Sequence, residues 1–390
     1  MRLDGVRVVD LTTLLPGPYG TQLLADLGAD VVKVERVDAG DDARYTPPLT
    51  DEGHGAQFDA VNRGKRSVAL DLKDERGREA LYELVSTADA FVEQFRPGVV
   101  DRLGVDYDTL REHNPGLVYC SLSGYGQEGP LSERVGHDLN YVGRAGLLDL
   151  TREDADSPPV IPGYPIADMA GGLFAAFASV SALLSRELGD EGGEYIDVSM
   201  TDVVLSFAQP VAHEALTDGE LESGNTELTG GLPWYSVYET ADGEYVTFAA
   251  LEPQFYEAFC DAVDREDLAD SHNTTDEAER AALREELTEI FGSRTREEWT
   301  DTLADVEASV EPVYSPSEAV DQEQVAARDL IWDESTPRIG FPAMGSDAPT
   351  DSGQPLPGQG EHTDEVLQAH GYDEEQLAEL AEEGVILRGN

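Results

Sequence analysis

Apolar and polar positions along this chain alternate between two rhythms. Residues 6–11 (V-R-V-V-D-L) form a short apolar run of the kind that becomes a buried strand. Pro16-Gly17-Pro18 then interrupts the chain, and residues 19–27 repeat their apolar positions at helical spacing. Gly28 closes that helix, and residues 29–35 (A-D-V-V-K-V-E) predict the next strand. A strand, a helix and a strand in this order begin a parallel sheet. The rhythm continues with a strand over 67–72, a helix over 74–86, a strand over 88–93, a short helix near 98–103 and a strand over 117–122. A loop rich in proline then leads through P-I-A-D-M-A-G-G into a long apolar helix ending near residue 187, and residues 193–200 add a strand. The alternation predicts a large, doubly wound α/β domain over residues 1–215.

The pattern then changes. Residues 217–231 are polar and glycine-rich, as in a linker, and 233–251 predict two strands joined at Asp242-Gly243, a hairpin signal. Residues 276–303 are strongly helical, so 225–315 reads as a smaller α+β domain. The stretch 335–363 is mostly loop, and helices near 364–383 are expected to return to the first domain, making 320–390 a C-terminal segment of it. No internal repeat is visible.

Charge alters the picture most. The chain carries 80 acidic and 26 basic residues, a formal net charge of −54. Such an excess destabilises a compact fold by self-repulsion unless salt screens it, and at about 1 M salt the Debye length is only about 3 Å. The acids are spread along the whole sequence, which points to a surface adapted to a salt-rich cytoplasm rather than to one basic partner. Nucleic acid and anionic membranes are poor partners for this surface. Cys120 and Cys260 sit far apart in apolar runs and read as reduced core residues. With no basic leader and no run of about 18 apolar residues, the expectation is a soluble, cytoplasmic protein.

Most familiar chemistries lack their motifs. The first strand–helix turn offers Gly17 and Gly20 without the G-x-G-x-x-G of dinucleotide sites; no P-loop or G-x-S-x-G occurs, and the histidines lack metal-ligand spacing. Basic residues are scarce and gather near strand ends, at Lys33, Arg36, Arg63, Lys65, Arg66, Lys73, Arg96 and Arg102. There they either pair with local acids or receive a phosphate-rich ligand. Asp168, at the entry to the long helix, has two readings. It is an ordinary helix cap, or a reactive carboxylate kept ionised by the helix N-terminus, with Gly171 and Gly172 letting a ligand approach. His137 and Glu252 are individually unremarkable, but a histidine and two carboxylates could form a pair of opposed acid–base groups.

Several stretches carry a family likeness: L-P-G-P-Y-G-T-Q-L-L-A-D-L-G-A-D-V-V-K-V-E, N-R-G-K-R-S-V-A-L-D-L-K, F-R-P-G-V-V-D-R-L-G, G-H-D-L-N-Y and the Asp168 segment. In these the chain resembles the class III CoA-transferases, the carnitine and bile-acid CoA-transferase family, and among them most of all the α-methylacyl-CoA racemases. The resemblance spans nearly the whole chain. It implies an interlocked homodimer, an acyl-CoA thioester as substrate with no permanently bound cofactor, and in some members a free carboxylic acid as second substrate. Arg36, Leu70, Lys73, Phe95, Arg102 and Leu103 fall at positions that contact coenzyme A in the family, and Asp168 at the aspartate the family uses. In racemases His137, paired with Glu252, would face Asp168 across the α-carbon. In transferases Asp168 would instead become covalently acylated. An enolate would require donors such as the backbone N–H groups that follow Asp168, and an apolar acyl pocket could draw on Met169, Leu232, Trp234 and Tyr235. A dicarboxylate would require a cation, for which Arg44 and Arg144 are the candidates.

Overall fold

A computed structural model of the chain describes residues 2–389 apart from 190–191, 218–220, 222, 225, 333–336 and 347–354. Parts of the linker expected over 217–231 and of the loop expected over 335–363 therefore lie outside the described residues. The described chain forms two compact units, the first comprising residues 1–145, 163–207 and 323–390, the second 146–162 and 208–322.

The first unit is built on strands β1 (Arg7–Leu11), β2 (Asp30–Glu35), β3 (Arg66–Leu70), β4 (Ala90–Glu93), β5 (Val118–Ser123) and β6 (Glu194–Ser199). They pair in parallel in the order 3-2-1-4-5-6, and Ile386–Leu387 closes the β3 edge in antiparallel register. The order reverses between β1 and β4. Chains leaving those two strands diverge to opposite sides, opening a crevice at their carboxyl ends.

The helices of this unit are α1 (Pro16–Asp26), α2 (Ala56–Ala60), α3 (Glu75–Ser86), α4 (Val99–Leu103), α5 (Tyr107–His113), α6 (Asp138–Arg144), α7 (Ile166–Glu187) and α8 (Met200–Ser206), joined by Glu323–Ala327, Thr363–Ala369 and Glu374–Glu382 of the C-terminal segment. Pro16-Gly17-Pro18, expected to be a break, is instead the first turn of α1. A proline there loses no hydrogen bond, because the first N–H groups of a helix have no partner in any case. Residues 138–144, to which the sequence pattern assigned no element, form α6.

One side of the sheet is a core in which Leu81, Leu84 and Val85 of α3 meet Phe91, Tyr119 and, from the C-terminal segment, Val366, Leu367 and Leu377. Elsewhere α1 and α7 touch backbone to backbone. A Cβ on Gly172 would lie 2.1 Å from the Pro16 carbonyl oxygen, and one on Gly20 would lie 2.4 Å from the Gly172 oxygen. The glycines after Asp168 thus serve helix packing rather than ligand approach. By length and composition α7 could cross a membrane, but half of its apolar window is buried in the protein.

The second unit has an antiparallel sheet of Tyr235–Glu239, Tyr245–Ala249 and Val310–Pro312, with the hairpin turn at Gly243 in the left-handed region (φ 79°). The helical stretch over 276–303 is two helices, Glu277–Phe291 and Arg296–Leu303. They are separated where Thr295 and Glu298 cap the second reciprocally. Trp234, expected in the wall of an acyl pocket, lies in this unit's core with Tyr256, Phe259 and Phe291. Cys120 and Cys260 are both free and buried.

Candidate active site

The crevice predicted by the strand order is occupied by a cleft of about 630 Å3. Leu14, Leu15 and Pro16 line it from the turn after β1, Gln94 to Pro97 from the turn after β4, and Ser123 and Gly124 from the end of β5. His137 and Tyr141 enter from α6, Asp168 from α7 and Met200 from α8. A larger hollow of about 1180 Å3 lies wholly within the second unit, and neither Asp168 nor His137 lines it. The chemistry is therefore sought in the smaller cleft.

Asp168 is not a helix cap. Pro165 occupies the cap position of α7, and Asp168 stands in the first turn. Its own amide and that of Ala167 are bound from outside the helix, by the Oδ1 atom of Asp138, at 3.2 and 2.6 Å. The Met169 amide donates to the Pro165 carbonyl at 3.0 Å. These amides are therefore not free to hold an enolate, contrary to expectation. The ionisation of Asp168 also departs from expectation. Burial, reinforced by the Asp138 carboxylate and opposed by His137, pushes its pKa up to about 6. The helix terminus does not hold it low, because a second carboxylate has taken the amides that would have done so. A carboxylate of this kind is largely ionised at neutral pH yet basic enough to accept a proton.

His137 opens α6 in extended backbone conformation, its N–H donating to Asn140 Oδ1 at 3.0 Å, and its ring is exposed along the cleft. The neighbouring Tyr141 is buried and donates from its hydroxyl to the Gly136 carbonyl at 2.6 Å. Burial and the nearby Asp168 raise its pKa to about 12, so it stays a neutral donor. Glu252 belongs to the second unit, where it is the exposed residue preceding helix Pro253–Ala262.

The six positions matched to coenzyme A lie along the carboxyl ends of β2, β3 and β4 or in α4. Of these, Phe95 lines the cleft beside Asp168. Arg36 follows β2 and pairs with Asp42 at 2.7 Å. Lys73 and Arg102 are exposed, and Leu103 packs with Phe95 against the core. Leu70 is different: its side chain is buried inside the sheet, so only its backbone could meet a ligand.

Among the other basic residues, local pairing accounts for most. Lys65 is wholly buried with its Nζ 3.0 Å from Asp10 Oδ2 and 2.8 Å from Thr21 Oγ1. Lys33 pairs with Asp41 at 3.0 Å, and Arg63 with Asp59 at 2.6 Å. Burial would raise the Asp10 carboxyl, but Lys65 and Lys33 hold it well below the ordinary range. Arg44 grips Glu35 through two bonds of 2.6 and 2.7 Å, which removes it as a cation for substrate, and Arg144 does not line the cleft. Two other arginines do, Arg96 and Arg134; both are exposed, and neither forms an ion pair among the described residues. Sequence reasoning missed Arg134, although it lies three residues before His137. It also missed Asp138, whose capping of a helix 29 residues away leaves no local signature.

With this geometry in hand, comparison with known proteins is decisive. A family model described as CoA-transferase family III matches residues 3–363. The chain belongs to that family. It is 36% identical over 348 residues to a succinyl-CoA:mesaconate CoA-transferase of Haloarcula hispanica, covering 86% of each chain. It is 34% identical over 400 residues to the alpha-methylacyl-CoA racemase of Mus musculus, covering 99% of this chain and 98% of the racemase. In structure it is similar to a CAIB/BAIF family protein from Brucella suis, with a TM-score of 0.82 and 32% identity over 94% of this chain and 99% of that one. The family thus includes both enzymes that move coenzyme A and enzymes that racemise, and its likeness to this chain extends over both units.

Proposed function

We propose that this chain racemises a 2-methylacyl-CoA by moving the proton α to the thioester between Asp168 and His137. The observation that carries the reading is that a carboxylate with a pKa near 6 and an accessible imidazole line one cleft at the switch point of the sheet. Asp168 would remove the proton from one face and His137 would return one from the other. Leu14, Leu15, Pro16 and Met200 would supply the apolar wall. Glu252 would orient His137, in a homodimer whose chains interlock. Leu173, Phe177 and Leu184, exposed along α7, support such a partner surface. Coenzyme A would lie along Arg36, the Leu70 backbone, Lys73, Phe95, Arg102 and Leu103. The protein would work in a salt-rich cytoplasm, its acidic surface screened.

Arg96 and Arg134 favour a second reading, because unpaired arginines in a cleft suit the free carboxylate of an acid substrate. In that reaction the Asp168 carboxylate attacks the thioester carbonyl and expels the coenzyme A thiolate, leaving a mixed anhydride. The thiolate then attacks the aspartyl carbonyl, releasing the first acid and leaving an aspartyl thioester that a second acid exchanges. His137→Ala separates the two. Racemisation requires both bases and falls at least 1,000-fold in His137→Ala and in Asp168→Ala. Coenzyme A exchange between acids that survives His137→Ala but not Asp168→Ala overturns the racemase reading.

A further inference from the structure

Asp138 has no part in the chemistry described so far, yet it is the group most intimately joined to the reactive aspartate. It follows His137 directly and begins α6, while its carboxylate oxygen takes the Ala167 and Asp168 amides at the start of α7. One side chain therefore does two things. It ties the segment bearing His137 to the turn bearing Asp168, with bonds of 2.6 and 3.2 Å, and it sets a negative charge beside the Asp168 carboxylate. A neutral cap such as serine or asparagine would satisfy the amides equally well. The charge is the part that capping leaves unexplained.

We propose that Asp138 is a positioning residue that fixes the spacing of the two bases and, through its charge, sets the proton affinity of Asp168. The inference rests on the proposed role of Asp168, but not on the choice between proton transfer and acyl transfer.

The electrical surroundings of Asp168 make the inference specific. From α6 it faces Asp138, His137 and Tyr141. The other elements packed on α7 carry Tyr19 and Asp26 on α1, Glu93 on β4, Tyr119 and Cys120 on β5, Glu194, Tyr195 and Asp197 on β6, and Asp202 on α8. None of these contributes to its displacement, which comes first from burial and then from Asp138. Burial belongs to the whole cleft, whereas the second cause resides in one replaceable atom group. Like charges this close disfavour joint ionisation, and removing one lowers the pKa of the other.

Two variants divide the roles. Asp138→Asn keeps an oxygen acceptor for both amides and removes the charge, whereas Asp138→Ala removes both. The titration of Asp168 is read directly, by carbon NMR of carboxyl-labelled aspartate in the full-length protein without substrate, with Asp168→Asn providing the assignment. In Asp138→Asn the Asp168 midpoint falls from about 6 by about 0.5–1 pH unit, and the acid limb of kcat/KM moves by the same amount. In Asp138→Ala, hydrogen exchange at the Ala167 and Asp168 amides accelerates at least 10-fold and kcat falls further than in Asp138→Asn. An Asp168 midpoint unmoved in Asp138→Asn overturns the inference, even if Asp138→Ala fails to fold. The proposed role of Asp168 fails separately, if Asp168→Asn retains activity, and that result leaves the NMR titration readable.

Discussion

Replacing Asp168 with asparagine should abolish activity and at the same time stabilise the protein. Burial lifts the carboxyl from 3.8 to about 6, with Asp138 adding to the lift and His137 opposing it. The folded protein thus binds this proton more tightly than the unfolded chain, and above both pKa values the charged group weighs against folding. One pKa unit corresponds to about 1.4 kcal/mol, so the displacement amounts to roughly 3 kcal/mol, which solvent along the open cleft reduces to about 1–2 kcal/mol. The sign follows from the direction of the shift. The penalty is absent below about pH 4, grows as pH rises from the unfolded to the folded pKa, and is complete above about pH 6. Urea unfolding at fixed protein and salt concentration, followed by tryptophan fluorescence, should show Asp168→Asn more stable than the parent by about 1–2 kcal/mol at pH 8 and equal to it near pH 4. An asparagine variant less stable at pH 8, or a difference that does not vary with pH, refutes the electrostatic account of this site.

Three further outcomes follow from the packing and the charge. Gly172→Ala sets a methyl group 2.1 Å from the Pro16 carbonyl oxygen and should separate α1 from α7, lowering stability by about 3 kcal/mol or more in the same unfolding assay. Lys65→Met removes the cation in direct contact with the buried Asp10 carboxylate, leaving Lys33 and the Thr12 and Thr21 hydroxyls, and should destabilise the fold by about 3 kcal/mol at pH 8, a loss that Asp10→Asn added to Lys65→Met partly restores. Lowering sodium chloride from about 2 M to 0.1 M lengthens the Debye length from about 2 to about 10 Å, so with a net charge of −54 the melting temperature should fall by at least 10 °C.

Much of the first unit was legible because buried parallel strands are short apolar runs separated by turn residues, a local pattern. Strand β2 was expected over 29–35 and is Asp30–Glu35, and α3 was expected over 74–86 and is Glu75–Ser86 with Asp74 as its cap. Misreadings arose where a local signal had a tertiary cause. Pro16-Gly17-Pro18 looked like a break because proline usually ends helices, but it begins one. The two glycines beyond Asp168 suggested room for a ligand, but Gly172 admits the backbone of α1 and Gly171 the side chain of Met200. Lys33 and Lys65, near strand ends, left open both local pairing and an anion site, and Arg44 was a candidate cation for a dicarboxylate; each is buried on a carboxylate supplied by a distant or adjacent segment. Asp168 and His137 could be singled out from their motifs. The Asp138 bonds that join their segments depend on the fold, and no spacing in the sequence announces them.

The account turns on whether a proton leaves the α-carbon. A single enantiomer of a 2-methylacyl-CoA, incubated with the enzyme in heavy water at high salt without any acceptor acid, tests this directly. We predict that deuterium enters at the α-carbon and the opposite configuration appears alongside it, both ceasing in Asp168→Ala and in His137→Ala. An α-proton retained in full, while label passes from succinyl-CoA to a free carboxylic acid, contradicts it.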